Sequence, residues 1–316
     1  MKKVKIFTQN YDPSSDEIID WIRYYDSKIQ IDRINCKHDL NKHYIKDEKC
    51  VLFFKKYRHL LSESISKGNE SKSIENKDEL IDFLQKSSEE DIKIVLEYLM
   101  CSEENIVIGN KEPYKENKLI QLEKAKKVGL EIPLTIVTNS KKELSDFFQL
   151  LNSQIITKPL FNAIFFDFQN DLYASYTKRI SENFLENLPT NFSLSLFQEE
   201  IDKEFEIRTF YFYGDCYSIA IFSQQNEQTS VDYRIYSNDK PNRKVPYQLS
   251  EEMKSKIDSF MKHMNLEMGS IDFIKSKDGK IYFLEVNPEG QFGVVSKSGN
   301  YNLEELIAIK ILNECN

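Results

Sequence analysis

Three oxygen-bearing side chains near the C-terminus, Asp272, Glu285 and Asn287, lie in the stretch Met268 to Gly290, which reads as two strands joined at Asp278-Gly279. That dipeptide tolerates φ > 0 at both positions and predicts a two-residue hairpin loop. Paired positions then sum to a constant, so Asp272 faces Glu285, and Asn287, two residues further on, projects from the same face. The same register sets Lys277 against Lys280 and turns Ile271, Phe273, Leu284 and Val286 to the opposite, apolar face. Two carboxylates facing each other across a ladder repel, so something positive is needed between them. A hard divalent cation meets that need. Mg2+ takes oxygen ligands, commonly one or two carboxylates, and completes its octahedron with water and substrate phosphates.

Cations suited to such phosphates stand elsewhere in the chain. Lys158 ends an apolar strand immediately before Pro159, and Lys118 opens a helix, the end at which the helix dipole disfavours a cation. Together they can flank the phosphates of one nucleotide as point charges. Glu206 and Arg208 share one strand face with Ile207 on the other, and Arg234 interrupts the aromatic stretch Val231-Asp-Tyr-Arg-Ile-Tyr236. Arginine suits bidentate capture of phosphate or carboxylate. Phe197-Gln-Glu-Glu-Ile201 leaves a strand for a polar turn, which offers an adenine ring an apolar slot and backbone groups at its edge. The aromatic runs 161–168 and 210–217 read as β core, not as nucleobase platforms. The signatures G-x-x-x-x-G-K, G-x-G-x-x-G and G-x-S-x-G do not occur, which argues against those nucleotide and hydrolase classes.

Elements of both periods must position these groups. In the first third, strands are expected at 4–8, 29–35 and 50–54, and Ile18, Ile19, Ile22 and Tyr25 recur at helical spacing behind the capping serines Ser14 and Ser15. Ser87 with Glu90 predicts a capping box that opens a helix burying Ile92, Val95, Leu96 and Leu99. The polar tract 62–77 reads as a surface loop or frayed helix ends. Further on, the pattern predicts a helix at 118–128 ended by Gly129, a strand at 135–138, a helix at 141–151 and a strand at 154–158. Strands at 161–168 and 172–178 flank an Asn170-Asp171 turn. The last third reads as strands at 195–201, 206–213 and 216–222, a helix at 251–265, the Asp272 hairpin and a helix at 303–312.

A chain of 316 residues can bury a substantial core and divides into two or three subdomains. Its 51 acidic and 43 basic residues are interleaved for a net charge of −8, which argues against nucleic acid as a partner. No apolar run approaches a membrane span, and Met1-Lys-Lys-Val-Lys5 enters a strand without a signal-peptide core. Cys36, Cys50, Cys101, Cys216 and Cys315 are widely spaced and form no C-x-x-C, as expected for reduced thiols in the cytoplasm.

The order Lys118, Lys158-Pro159, Gln198-Glu-Glu-Ile201, Glu206-Ile-Arg208, Tyr233-Arg234, Asp272 and Leu284-Glu-Val-Asn-Pro288 resembles the ATP-grasp ligases, in the branch related to the enzyme that adds glutamate to a ribosomal protein. More narrowly, Ser15-Asp-Glu-Ile-Ile-Asp-Trp21, Arg33-Ile-Asn35, Asn242-Arg-Lys-Val-Pro246 and Gly290-Gln-Phe-Gly293 resemble graspetide synthetases of the grasp-with-spasm peptide maturase type. The resemblance implies an α/β (α+β) ATP-grasp fold. A pre-ATP-grasp β/α domain would occupy 1–110, a central subdomain with a leader-peptide hairpin 111–195, and a C-terminal subdomain with the Mg/ATP site 196–316. Carried over position by position, Lys118 and Lys158 would contact the phosphates and the adenine side, Glu199, Glu200 and Ile201 the adenine edge, and Glu206 the ribose. Asp272, Glu285 and Asn287 would hold Mg2+, and Arg208 and Arg234 would face the γ-phosphate and the acceptor carboxylate. The loop between Ile201 and Glu206 is one residue shorter than in the ribosomal-protein ligase pattern, which leaves Asp202, Lys203 and Glu204 without an assigned role.

The reaction so implied uses ATP to phosphorylate a Glu or Asp side chain of a precursor peptide. A Thr or Ser hydroxyl or a Lys amine of the same peptide then displaces phosphate, giving a macrocyclic ester or amide. The leader would dock near the 161–178 hairpin and the acidic turn 181–187, and an assembly of two copies is compatible with this reading. Two alternatives stand beside it: a ligase that adds free amino acids to a protein terminus or small acid, and a nucleotide-binding regulatory module without catalysis.

Overall fold

The computed structural model describes residues 3–35, 49–55, 77–110, 117–160, 165–168, 171–174, 177–223 and 241–315. Residues 62–76 of the expected polar tract and 161–164 of an expected strand lie outside them. Strand β1 (Lys3–Phe7), helix α1 (Pro13–Tyr25), β2 (Ile31–Ile34), β3 (Cys50–Phe54), α2 (Lys77–Cys101) and β4 (Ile106–Ile108) build a parallel sheet of order β2-β1-β3-β4. Every residue of β3 is buried, because both faces of this sheet are covered and neither side needs polar groups. Phe7, Leu52 and Phe54 pack under Leu96 and Leu99 of α2, while Val4, Ile6, Val51 and Phe53 join α1 in a second cluster.

Two helix starts differ from expectation. Helix α2 runs unbroken for 25 residues through Ser87 and Glu90, since no Gly or Pro between Lys77 and Cys101 stops it. Helix α1 begins at Pro13, whose missing N–H costs nothing in a first turn, so Ser14 and Ser15 lie inside the helix and Asp12 precedes it.

The chain continues through α3 (Lys118–Lys127), β5 (Thr135–Ser140), α4 (Lys141–Leu150), β6 (Ile155–Lys158), β7 (Phe165–Phe168), β8 (Asp171–Ala174), β9 (Lys178–Arg179), α5 (Glu182–Asn187) and β10 (Asn191–Glu199). An antiparallel sheet of order β5-β10-β6-β9 buries Ile155 and Phe197 under Leu144, Phe147 and Phe148 of α4 and Leu185 of α5. Strands β7 and β8 pair as a separate hairpin, so the expected strand 172–178 is divided between β8 and β9. The expected acidic turn is the short helix α5, capped where the Ser181 hydroxyl accepts the Phe184 N–H.

A third sheet, of order β13-β12-β11-β14-β15, comprises β11 (Lys203–Phe212), β12 (Asp215–Phe222), β13 (Arg243–Tyr247), β14 (Met268–Ser276) and β15 (Ile281–Asn287). Helix α6 (Glu251–Met264) lies between β13 and β14 in sequence, and α7 (Gly293–Gly299) and α8 (Leu303–Cys315) close the chain. Alternation splits the sheet cleanly. Ile207, Tyr211, Ile271, Phe273, Phe283 and Val286 pack with α3 and α6, while Phe210, Phe212, Ile219, Ile221 and Met268 face the first sheet, α1 and α8.

Asn110, just after β4, joins the first sheet to the third. Its amide donates to the carbonyls of Met268 (2.9 Å) and Pro288 (2.6 Å), and its carbonyl accepts the N–H groups of Glu267 (2.9 Å) and Met268 (3.2 Å). The side chain is buried, so truncation strands backbone groups that water cannot reach. Asn110→Ala is expected to cost about 2–3 kcal/mol of unfolding free energy, read from the urea midpoint, given roughly 1 kcal/mol per buried bond.

Candidate active site on the third sheet

Asp272 lies opposite Glu285, and Ser270 opposite Asn287, so the three oxygen-bearing residues share one face as the sequence predicts. The loop that achieves this differs. The Ser276 N–H donates to the Lys280 carbonyl and the Gly279 N–H to the Ser276 carbonyl, leaving three residues, 277–279, in the turn. Gly279 has φ +93°, the left-handed position that ends a type I turn plus bulge. Lys277 therefore does not face Lys280; its N–H donates to the Asp202 carbonyl instead. A three-residue loop shifts the register by one, and a bulge between Asp272/Glu285 and Phe273/Phe283 restores it. Leu284 occupies that bulge, so Phe283, not Leu284, enters the core beside Phe273.

Each carboxylate is already matched by a cation. Arg208 sits opposite Asp272 on β11, and its guanidinium donates to both carboxylate oxygens at 3.1 and 3.2 Å and to the Gln291 side-chain Oε1 at 3.2 Å. Lys118, at the start of α3, lies 3.4 Å from Glu285 and donates to the Pro159 carbonyl at 3.1 Å. The site thus gathers Lys118, the Lys158-Pro159 strand end, Arg208, Asp272 and Glu285 from five separate elements. Asp272 and Glu285 keep 17% and 25% of their side-chain surface exposed, open enough to meet a ligand. Among the described residues no three His, Cys, Asp or Glu side chains form a metal cage. Two carboxylates and an amide oxygen instead fit a hard cation that draws its remaining ligands from phosphate and water.

The segment 197–201 ends β10 as a braced hinge. The Glu199 carboxylate accepts the Leu134 N–H at 3.1 Å while its own N–H donates to the Leu134 carbonyl. Glu200 receives the Arg179 guanidinium at 2.7 and 3.0 Å, which raises the arginine pKa further, and donates its N–H to Gln154. Ile201 is buried. These two acids fix the hinge and leave backbone and apolar surface to a ligand. Glu206 and Arg208 share a face of β11 as expected, and Glu206 is ion-paired to Lys203. Arg234 lies outside the described residues.

No family model matches the sequence, and no curated protein matches it significantly. Solved structures do match. A Chryseobacterium gregarium RiPP-associated ATP-grasp ligase in complex with ADP and a leader and core peptide superposes with TM-score 0.81 at 20% identity, over 99% of this chain and 97% of that one. The fold is that of the ATP-grasp ligases. Macrocyclase MdnC of Microcystis aeruginosa MRC, bound with precursor peptide MdnA, follows with TM-score 0.76 at 22% identity, over 99% of this chain and 100% of that one. The ATP-grasp ligase PsnB complexed with minimal precursor, Mg and ADP gives TM-score 0.71 at 13% identity, over 99% of this chain and 97% of that one.

Within this ATP-grasp fold, three residues beside the site escaped the sequence reading. Lys203 pairs with Glu206 because a bulge between Lys203 and Phe205 brings residues three apart onto one side, against the usual period of two. Gln291 reaches Arg208 from the turn after β15, and only the Gly290-Gln-Phe-Gly293 motif pointed there. Gln121 bonds the backbone of β15 from α3, a contact across the whole second sheet's sequence that no local pattern signals.

Proposed function

We propose that this chain is a graspetide synthetase, an ATP-dependent ligase that closes macrocyclic esters or amides within a precursor peptide. The observation that carries the reading is the Asp272–Glu285–Asn287 face with Arg208 and Lys118 upon it, in a fold whose solved examples hold ADP and precursor peptides. ATP binds between residues 111–195 and 196–316. Ile201 and the adjoining backbone take the adenine edge, braced by Glu199 and Glu200, Glu206 takes the ribose, and Lys118 and Lys158 take the phosphates. Asp272, Glu285 and Asn287 hold Mg2+, which supplies charge stabilisation to the transferring phosphoryl group. Lys118 and Arg208, which stand beside these acids, would serve the nucleotide and the acceptor once the ion balanced the carboxylates. Arg208 and Arg234 then orient the peptide carboxylate and the γ-phosphate.

The first step forms a bond between a carboxylate oxygen of the peptide and the γ-phosphorus and breaks the bond to ADP. Arginine and lysine charges offset the negative charge that spreads over the transferring group. In the second step a hydroxyl or amine attacks the acyl carbon, inorganic phosphate departs and the nucleophile loses its proton. The enzyme acts in the cytoplasm, where ATP is supplied, and as a monomer or homodimer. Among the described residues no helix is long and apolar enough to cross a membrane.

Co-expression with a candidate precursor peptide rich in Thr and Glu or Asp, followed by mass spectrometry, tests the reading. Each ring is expected to remove about 18 Da, one water, from the peptide through its activated acyl intermediate. ADP release driven by free amino acids with no peptide present would instead assign the chain to amino-acid ligation. ADP binding without turnover on any such peptide would make it a regulatory module.

A further inference from the structure

The bulge at Leu284 changes which backbone groups of β15 face outward. β15 is the edge of its sheet, and the N–H groups of Phe283 and Val286 both point away from β14 toward that open side. Neither is left to water. Phe283 donates to the Glu131 carbonyl at 2.8 Å. Val286 donates to Gln121 Oε1 at 3.0 Å, and Gln121 Nε2 donates back to the Val286 carbonyl at 3.1 Å. The carboxamide therefore does for Val286 what a neighbouring strand would do, and it is 1% exposed. Val286 stands between Glu285 and Asn287. One turn earlier on the same helix face, Lys118 lies 3.4 Å from Glu285.

Helix α3 is itself held firmly. Leu122 and Ala125 are buried in the core with Phe283 and Val286, and Lys124 donates to the His263 carbonyl at 2.7 Å at the end of α6. An edge strand carrying a bulge has an alternative register, and a slip of one residue would turn Glu285 and Asn287 to the wrong face. We infer that Gln121 is a positioning residue that locks β15 in the register presenting Glu285 and Asn287 together, and so sets the affinity of the site for its divalent cation. The inference rests on the proposed reading that those two residues, with Asp272, hold the ion.

The test is the affinity of the full-length protein for ADP, measured calorimetrically with and without Mg2+. Gln121→Leu can neither donate nor accept, and Gln121→Glu keeps the size and the acceptor but removes the donor and faces a carbonyl. Both are expected to keep metal-free ADP affinity within about twofold and to lose at least roughly tenfold of the Mg2+-dependent gain, the usual scale for a group that orients metal ligands. Ile120→Ala, at an exposed neighbour on the same helix, is expected to change neither. Should the leucine variant fail to fold, the glutamate variant decides alone. A melting temperature lowered in Gln121→Glu with the Mg2+ gain intact overturns the inference, since that is all a purely structural amide would do. Wild-type ADP affinity indifferent to Mg2+ removes the metal reading itself, and the inference with it.

Discussion

Glu285→Gln and Asp272→Asn are each expected to abolish the peptide's mass losses and to lower kcat/KM on the order of 10²–10³-fold or more, the scale seen when one preorganised charge-stabilising group is removed. Both replacements are nearly isosteric and both sites are partly open to solvent, so the fold has little to lose. The ion pairs they break, with Lys118 and Arg208, are largely buried, at 10–25% side-chain exposure, but each new amide keeps an oxygen that can accept from the same cation. The chemistry has much more at stake. Each substitution removes a negative charge from the proposed two-carboxylate cation site and leaves Arg208 or Lys118 without its carboxylate partner where, on that proposal, the ATP phosphates would lie. A change in kcat/KM without a change in melting temperature is thus the signature, measured as ADP release with the precursor peptide and by thermal melting. Peptide dehydration surviving in both variants would sink the assignment.

The pairing of Asp272 with Glu285 was legible in the sequence, yet the route to it was not. Asp278-Gly279 signals a hairpin, and the sum rule gives the correct partner only because a one-residue error in the loop is cancelled by a bulge at Leu284. A bulge has no composition of its own; it is chosen by packing, here by Phe283 filling the space beside Phe273 and Phe260. Strand β13 was hidden for a different reason. Pro246 within Arg243–Tyr247 counts against a strand, and it is tolerated because β13 is an edge. Helix starts misled at Ser87 and Ser14 because serine near an acid reads as a cap wherever it stands, while the continuity of the helix depends on what α2 buries. Long-range contacts such as Lys118 to Glu285 and Gln121 to Val286 carry no local signal at all. The resemblance assigned Lys118 and Glu285 to one nucleotide site without pairing them with each other; nothing anticipated the second.

The largest stability effect is expected at Lys55. Its ammonium lies 2.9 Å from Asp12, with 2% and 1% of the two side chains exposed, and 4.6 Å from the centre of the Phe292 ring. Asp12 also accepts the Thr8 hydroxyl at 2.8 Å and the Ser15 hydroxyl at 2.6 Å. Lys55→Met keeps the length of the side chain and removes the charge, leaving a carboxylate buried without its cation, which costs about 3–5 kcal/mol. The double variant Asp12→Leu/Lys55→Met removes both charges and leaves Ser15 and Thr8 the hydrogen bond they already share at 3.1 Å. It is expected to be more stable than the single variant by about 2 kcal/mol, a coupling that a double-mutant cycle reads directly. The pH dependence follows from the same pair. Burial by itself raises the Asp12 pKa, but the Lys55 ammonium and the bonds from Ser15, Lys55 and Thr8 outweigh it and hold the carboxyl below its ordinary value. A depressed native pKa contributes stability that is fully present above the unfolded carboxylate value, near 4, and is lost as pH falls through the native value. Lys55→Met removes the largest of the influences that lower the Asp12 pKa, so the fall in unfolding free energy between roughly pH 4 and pH 2 is expected to shrink. Urea titrations across that window decide it: additive single effects, or an acid slope unchanged by Lys55→Met, would mean that the ammonium does not hold Asp12 in its ionised form.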